Sequence, residues 1–466
     1  MAPDYDFDLV AIGSGPAGQR AAVQAAKLGR RAAVIEKRRC VGGVCIDTGT
    51  IPSKTMREAI LAYAGSSTRG DRLPWARPAS RPSAQQLLAG VDAVISREIE
   101  VIEQQLRRND VTLIQGEASF LDPSTLTVRT EAGTSRVSAR YIVIAVGTRP
   151  APPPGVEADG EIVLNSDQLV NLKTLPRTLA VVGAGVVGIE YASMFAAVGV
   201  QVTLVERRDR PLEFVDREII DELMHQLRQR NVTFRLGEAV ESLAVTESTP
   251  LRAVLNLESG KRLVADAVLF SAGRLAATDS LNLEAAGLSA DDRGRLKVDE
   301  SFRTRVPHIF AAGDVIGYPS LAATSSEQGR LAACQAFGVE ARPMARHFPI
   351  GIYAIPEISM VGPPEHELTA ARVPYETGVA RYREIARGQI LGDGSGFIKM
   401  LFHRKDRRLL AVHCLGTGAT ELVHVGQAVL GLGGGLDYFL ETVFNYPTLA
   451  ECYKVAALDA SNKLRG

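Results

Sequence analysis

The sequence carries no net charge: its 466 residues hold 53 Lys and Arg against 53 Asp and Glu. With no basic patch interleaved with aromatics, that balance excludes a nucleic-acid or membrane-surface role driven by bulk charge. Cysteine is sparse. Its five copies (Cys40, Cys45, Cys334, Cys414 and Cys452) form no zinc-type CxxC pair, so no metal site is expected. Scattered thiols of this kind fit a reducing, cytoplasmic compartment. A cationic leader is lacking too. "MAPDYDFDLVAIGSG" has no cleavage site, and its apolar run has the length of a strand, so no signal peptide is expected. One long hydrophobic run exists, the 27 residues Leu179–Val205 with a single charge. Hydropathy alone reads it as a membrane span. The Gly-x-Gly-x-x-Gly inside it and the β-branched residues at both ends predict strand, turn, helix and strand instead, so no membrane is implied.

What is present is apolar content of 46% and charged content of 23%, the profile of a globular protein with a large core. The length suits three domains. The chain also repeats itself. "DLVAIGSGPAGQRAA" leads to "AAVIEKR", and "LAVVGAGVVGIEYA" leads to "VTLVERR"; Gly13 to Glu36 and Gly183 to Glu206 are both steps of 23 residues. "VTLIQGEASF" echoes "VTFRLGEAVE", and "YIVIAVGTRP" echoes "AVLFSAGR". Two related nucleotide-binding domains are expected. Each begins as a βαβ unit, takes an antiparallel excursion, and returns on a strand ending at Gly147 or Gly273. From about Phe348, period-2 strands such as "GFIKMLFH" and "LLAVHCLG" predict antiparallel sheet, followed by helices. Residues 83–108 carry apolar side chains at helical spacing, with core or subunit contact as their meaning.

Each GxGxxG sits between a strand and a helix, with an acid at the end of the next strand, and that context makes the motif specific. Gly13, Gly15 and Gly18, and then Gly183, Gly185 and Gly188, let backbone approach a pyrophosphate at a helix N-terminus. Glu36 and Glu206 are placed to accept hydrogen bonds from adenosine ribose hydroxyls. "IFAAGDVIG" sets Asp314 between a buried strand and a helix starting near Leu321. An acid there suits ribityl hydroxyls, and the helix N-terminus suits negative charge on a reduced flavin. The first site is therefore read as FAD-binding, without a covalent link, and the second as a nicotinamide nucleotide site.

With these motifs the chain resembles the pyridine nucleotide–disulfide oxidoreductases of the glutathione reductase and dihydrolipoamide dehydrogenase type. The shared residues also include Ile51-Pro52-Ser53-Lys54 and "YAIPEISMVG" from Tyr353. The resemblance implies two Rossmann-like dinucleotide-binding domains plus a C-terminal α+β dimerisation domain. It places FAD on residues 1–150 and 272–345, NAD(P) on 151–271, and a homodimer or higher homo-oligomer on 346–466. It makes Lys54 and Glu190 an ion pair beside the flavin, and adds Cys45, Gly147 and Gly273 to the cofactor-binding set.

Two family features are missing. The family reads C-x-x-x-x-C-I-P-S-K, whereas here Cys45 is followed by Thr50. A threonine hydroxyl forms no disulfide and no thiolate. Cys40 and Cys45 share the same spacing, but the Pro-Ser-Lys register sets Thr50, not Cys45, at the flavin. The family's His-Pro-Thr, with a Glu five residues after the His, is here Tyr446-Pro447-Thr448 with Glu451, so the acid remains without its base. The proline follows a cis bond in the family, and its loop faces the flavin of the other subunit. Hydride transfer between flavin and nicotinamide remains. "GTIPSK" with "FNYPT" is similar to the soluble pyridine nucleotide transhydrogenases, which implies NAD(H) and NADP(H) as substrates, with Thr50 and Tyr446 beside Lys54 and Glu190 at the reacting centre. Glu206 suits the 2′-hydroxyl of NAD, and Arg207 and Arg208 suit a 2′-phosphate. A quinone or dye reductase and a catalytically silent flavoprotein subunit are the alternatives.

Overall fold

The computed structural model describes residues 5–66, 81–153, 155–247 and 249–465. The first sheet starts with β1 (Phe7–Ile12), α1 (Pro16–Lys27) and β2 (Ala32–Glu36). A parallel sheet covered on both faces has no polar side, so its strands read as unbroken apolar runs. Leu9, Val10 and Ala11 are accordingly fully buried. After β2 the chain forms α2 (Gly43–Asp47), α3 (Thr50–Ser66), α4 (Ala84–Leu88), α5 (Val91–Arg108) and β3 (Thr112–Gln115), which lies beside β2. Next come β4 (Glu117–Asp122), β5 (Thr125–Thr130) and the long β6 (Gly133–Ile144). The first half of β6 pairs antiparallel with β5, and its second half runs parallel beside β1.

The periodic stretch 83–108 is two helices rather than one, broken at Ala89–Gly90. Glycine is the weakest interior helix residue short of proline. A capping box between Ser83 and Gln86 fixes where α4 starts. Leu87, Val91, Ile102 and Leu106 of the stripe are buried in the core.

The second sheet follows β7 (Thr148–Pro150). It contains β8 (Val163–Asn165), β9 (Thr178–Val182), α6 (Val186–Ala197), β10 (Gln201–Glu206), α7 (Arg217–Gln229) and β11 (Val232–Leu236). An antiparallel excursion of β12 (Val240–Val245), β13 (Ala253–Leu257) and β14 (Arg262–Ala265) precedes β15 (Ala267–Phe270). The parallel order is β11-β10-β9-β15-β8, the same winding as β3-β2-β1-β6 in the first sheet. The chain returns on β16 (Arg274–Ala276), paired antiparallel with β7, so the outgoing and returning segments form one ribbon. Then β17 (Ile309–Ala311) joins the first sheet beside β6, and α8 (Ala322–Ala336) packs on α1. A Cβ at Gly329 of α8 would stand 2.0 Å from the Ala17 carbonyl oxygen, so this helix contact admits no side chain.

The hydrophobic run Leu179–Val205 is β9, α6 and β10. Apart from Glu190 and Ser193 its helix is apolar all round, because Gly188 to Ala196 are all buried. Tyr191, Met194 and Phe195 share one core with Met56 and Ile60 of α3 and with Ile352 and Ile355 further on. Among the described residues no helix is long and apolar enough to cross a membrane.

The C-terminal sheet is antiparallel. It comprises β18 (Ile350–Ile352), β19 (Ile358–Val361), β20 (Tyr375–Arg381), β21 (Phe397–His403) and β22 (Leu409–Leu415) in the order β18-β19-β22-β21-β20. The last helices, Ala419–Gly431, Leu436–Glu441 and Glu451–Arg465, cover it. Met400, Val412 and Cys414 of the sheet pack with Phe439, Cys452 and Tyr453 of those helices. The architecture is two Rossmann-like units followed by an α+β unit.

Candidate active site

The two fingerprints fold into near-identical cradles. In each, the third glycine packs on the first: a Cβ at Gly18 would stand 1.9 Å from the Gly13 carbonyl oxygen, and one at Gly188 would stand 1.9 Å from that of Gly183. The middle glycine behaves differently. A Cβ at Gly15 or at Gly185 would meet nothing within 4 Å, although both residues cap helix N-termini. Packing therefore demands the outer glycines, while the middle one faces open space beside free helix N–H groups, which is where a pyrophosphate fits. Gly147 and Gly273 follow β6 and β15, at the same end of each sheet.

The acids sit at matching places. Glu36 is 4% exposed and accepts the N–H of Ser14 at 2.9 Å and that of Arg38 at 2.8 Å. Glu206 is 5% exposed and accepts the N–H of Ala184 at 2.7 Å and that of Arg208 at 3.0 Å. Arg208 also folds its guanidinium onto the Glu206 carboxylate, whereas Arg207 is exposed. Burial pushes the Glu206 carboxyl up, but the hydrogen bonds from Arg208 and Ala184 outweigh it and hold the group below its ordinary value.

Asp314 follows β17 and precedes α8, whose N-cap is Leu321. Burial pushes its carboxyl up, while Arg274 and Thr148 oppose the shift. Arg274 is held there by the Thr148 hydroxyl at 2.8 Å and by Asp167 at 3.0 Å. A half-buried acid at the end of the first sheet, next to an open cradle, fits the hydroxylated chain of a flavin dinucleotide.

Lys54 and Glu190 meet as their spacing in the motifs anticipates, with Nζ 2.8 Å from Oε2. The other oxygen of Glu190 accepts the N–H of Tyr353 at 2.8 Å, and Lys54 lies 5.0 Å from the centre of the Tyr353 ring. The Glu190 carbonyl accepts the Ser193 hydroxyl, whose oxygen accepts the N–H of Ile355 at 2.9 Å. Arg57, one turn beyond Lys54, binds Glu357 at 2.8 Å and the Ala354 carbonyl at 3.2 Å. Sequence reasoning missed Tyr353, Ser193, Arg57 and Arg274 as parts of this site. "YAIPE" was visible as a motif, but a backbone N–H that binds a distant carboxylate leaves no residue-type signal.

Cys45 stands near Thr50. Burial pushes the Cys45 thiol up, the Thr50 side chain acts to lower its pKa, and the Asp314 charge adds to the rise. Cys40 is a free thiol as well, raised by its partial burial and by Asp47 and Glu36, and it does not pair with Cys45. Thr50 begins α3 and is exposed. Tyr446 is 69% exposed in the single chain, and Tyr446–Pro447 is cis. Glu451 accepts the N–H of Thr448 at 3.2 Å, closing the turn on which Tyr446 stands.

Two nucleotide cradles joined by a lysine–carboxylate pair define a flavin- and nicotinamide-dependent oxidoreductase. Residues 7–329 match the family profile described as pyridine nucleotide-disulphide oxidoreductase, and residues 348–457 match the dimerisation domain of the same family. The chain belongs to this family. It is similar to a soluble pyridine nucleotide transhydrogenase of Mycobacterium tuberculosis (strain ATCC 25177 / H37Ra), 52% identical over 462 residues, which are 99% of this chain and 98% of the relative. The soluble pyridine nucleotide transhydrogenase of Pseudomonas aeruginosa (strain LESB58) is 43% identical over 467 residues, 99% of each chain. Among solved structures, LpdA from Mycobacterium tuberculosis superposes with a TM-score of 0.87 at 27% identity, over 97% of this chain and 99% of that one.

Proposed function

We propose that this protein transfers hydride between NADPH and NAD+ (NADPH + NAD+ = NADP+ + NADH), with FAD bound non-covalently at the first cradle and both nicotinamide nucleotides using the second in turn. The observation that carries the reading is the threonine at position 50, near Cys45, with the Lys54–Glu190 pair intact. The parts for hydride transfer are kept, and the parts for disulfide chemistry are gone. Full-length relatives bearing the transhydrogenase name support it.

When bound, FAD supplies a two-electron acceptor that takes hydride from one nicotinamide and returns it to another. Gly13, Gly15, Gly18, Glu36 and Asp314 would hold it. Gly183, Gly185, Gly188 and Glu206 would hold the nicotinamide nucleotide, with Arg207 and Arg208 toward a 2′-phosphate. Lys54 keeps a fixed positive charge at the reacting centre, since Glu190 and the Tyr353 segment leave it one position. The balanced reaction moves no proton, so a tyrosine can stand where thiol chemistry needs a histidine. The exposed Tyr446 loop lies in the segment matched to the dimerisation domain, which supports a homodimer with a shared site. Five free cysteines suit a cytoplasmic location.

Initial rates with NADPH and thio-NAD+ test the mechanism. One nicotinamide site requires ping-pong kinetics, with parallel reciprocal plots and each oxidised nucleotide competing with the reduced one. Intersecting lines would require both nucleotides at once and overturn it. Faster turnover with a quinone than with thio-NAD+ would favour the reductase alternative.

A further inference from the structure

The internal repeat allows its two acids to be compared atom by atom. Glu36 and Glu206 each receive a backbone N–H from the residue after the first glycine and another from two residues downstream. The remaining lone pairs are used differently. On Glu36 the Ser14 hydroxyl takes one, and the guanidinium of Arg38, the second residue after the acid, turns away to Asp47. On Glu206 there is no such hydroxyl, because residue 184 is alanine, and the guanidinium of Arg208 closes on both oxygens, with Nε and Nη2 each at 3.0 Å. The Arg208 side chain stays 38% exposed, while that of Glu206 is 6% exposed. Besides Glu206, the acid facing Arg208 is Glu213, 3.7 Å away. Arg207 makes no hydrogen bond or ion pair among the described residues.

A ribose diol can bind Glu206 only where lone pairs are free, so the closed guanidinium competes with it. A 2′-phosphate brought to a bare, buried carboxylate would meet like charge with little screening. With Arg208 swung outward between them, the phosphate instead gains a bidentate partner. We propose that Arg208 selects the nucleotide, moving between the Glu206 carboxylate and the 2′-phosphate, so that one pocket accepts both NAD(H) and NADP(H). The first cradle, with its arginine tied to Asp47, is committed to an unphosphorylated ribose. This inference rests on the reading of the second cradle as the shared nicotinamide site.

Binding to the FAD-loaded enzyme tests it without turnover. The probes are NADH, NADPH and their fragments AMP and 2′-phosphoadenosine 5′-phosphate. Arg208→Gln should weaken NADPH and the bisphosphate about tenfold to a hundredfold, the range of hydrogen bonds to a charged group. The same change should leave NADH and AMP as tight as before or a few-fold tighter, because the competing guanidinium is gone. Glu206→Gln should weaken NADH while NADPH holds or tightens. Arg207→Gln is the comparison variant. Equal weakening of all four probes by Arg208→Gln would make Arg208 a mere support for Glu206, and loss of NADPH affinity only in Arg207→Gln would move phosphate recognition to Arg207. Either result overturns the proposal. Transfer from NADPH to thio-NAD+ by the wild type is scored separately, so failure of the reaction and failure of the selector are distinct results.

Discussion

Replacing Thr50 by cysteine should turn the site back toward thiol chemistry. The Thr50 side chain already acts on the Cys45 thiol across the break between α2 and α3, opposing the effect of burial, so a second thiol at position 50 should come within reach of it. The ring closed by a 45–50 bridge holds about six residues, and chain-entropy arithmetic gives it about 2 kcal/mol over the open dithiol as an upper bound. Burial raises the Cys45 thiol, so the bridge should form with a mild oxidant more readily at alkaline pH than at neutrality. Thiol counting in denaturant reads the result. The wild type has five thiols, and the oxidised variant should yield one fewer although it carries one cysteine more. Anaerobic titration with NADPH should then take up about two electrons more per flavin, because the bridge accepts a pair of its own. A variant that keeps every thiol free after oxidation, or takes up no extra NADPH, would refute the placement of Thr50 against Cys45 and the account of lost disulfide chemistry built on it.

Cys45→Ser should retain transhydrogenation within a few-fold; a loss near a thousandfold, about 4 kcal/mol of transition-state stabilisation, would show that the thiol takes part. Lys54→Ala should slow flavin reduction by NADH and by NADPH alike, by about a hundredfold in stopped-flow, and an effect on one nucleotide only would contradict a charge acting at the common centre. His413 is fully buried, and burial lowers its pKa to about 4, below the ordinary 6.5. The folded state then binds fewer protons than the unfolded one between those values, so stability is full above pH 6.5 and falls as pH drops toward 4. Urea unfolding should show a loss of about 2 kcal/mol from pH 7 to pH 5, and His413→Gln should flatten that slope. Val443, 93% exposed just before the Tyr446 loop, should lie in the subunit contact. Val443→Glu should give monomers by light scattering together with lost activity, and an active dimer would place the contact elsewhere.

Much of the fold was legible because its strongest signals are local. The GxGxxG turns, the β-branched runs before them and the acids at the next strand ends each report their own surroundings, and the equal spacing from Gly13 to Glu36 and from Gly183 to Glu206 reported the repeat. The Lys54–Glu190 pair was legible only through the motif register, since nothing local to either residue reveals a partner 136 positions away. The break at Gly90 was missed because apolar periodicity continues across a kink and helix propensity is a weak prior. The closure of Arg208 on Glu206 lay beyond reach: "ERR" marks charge near a nucleotide, but which arginine folds back depends on the alanine at position 184, where the first cradle has a serine.

The carboxylate of Glu190 has one oxygen on Lys54 and the other on the backbone of Tyr353, while its own helix belongs to the second sheet. Three stretches of chain, far apart in sequence, therefore meet on one side chain. Mutational effects at such a junction are not additive, because the first break already loosens what the second would remove. The cost of a change at Lys54 then depends on what stands at Glu190 and on how the Tyr353 segment is held. Under mutational drift exposed residues with few contacts can vary one at a time, whereas this junction must be kept whole or replaced as a set. A single reverted residue would not restore it once two of the three had gone.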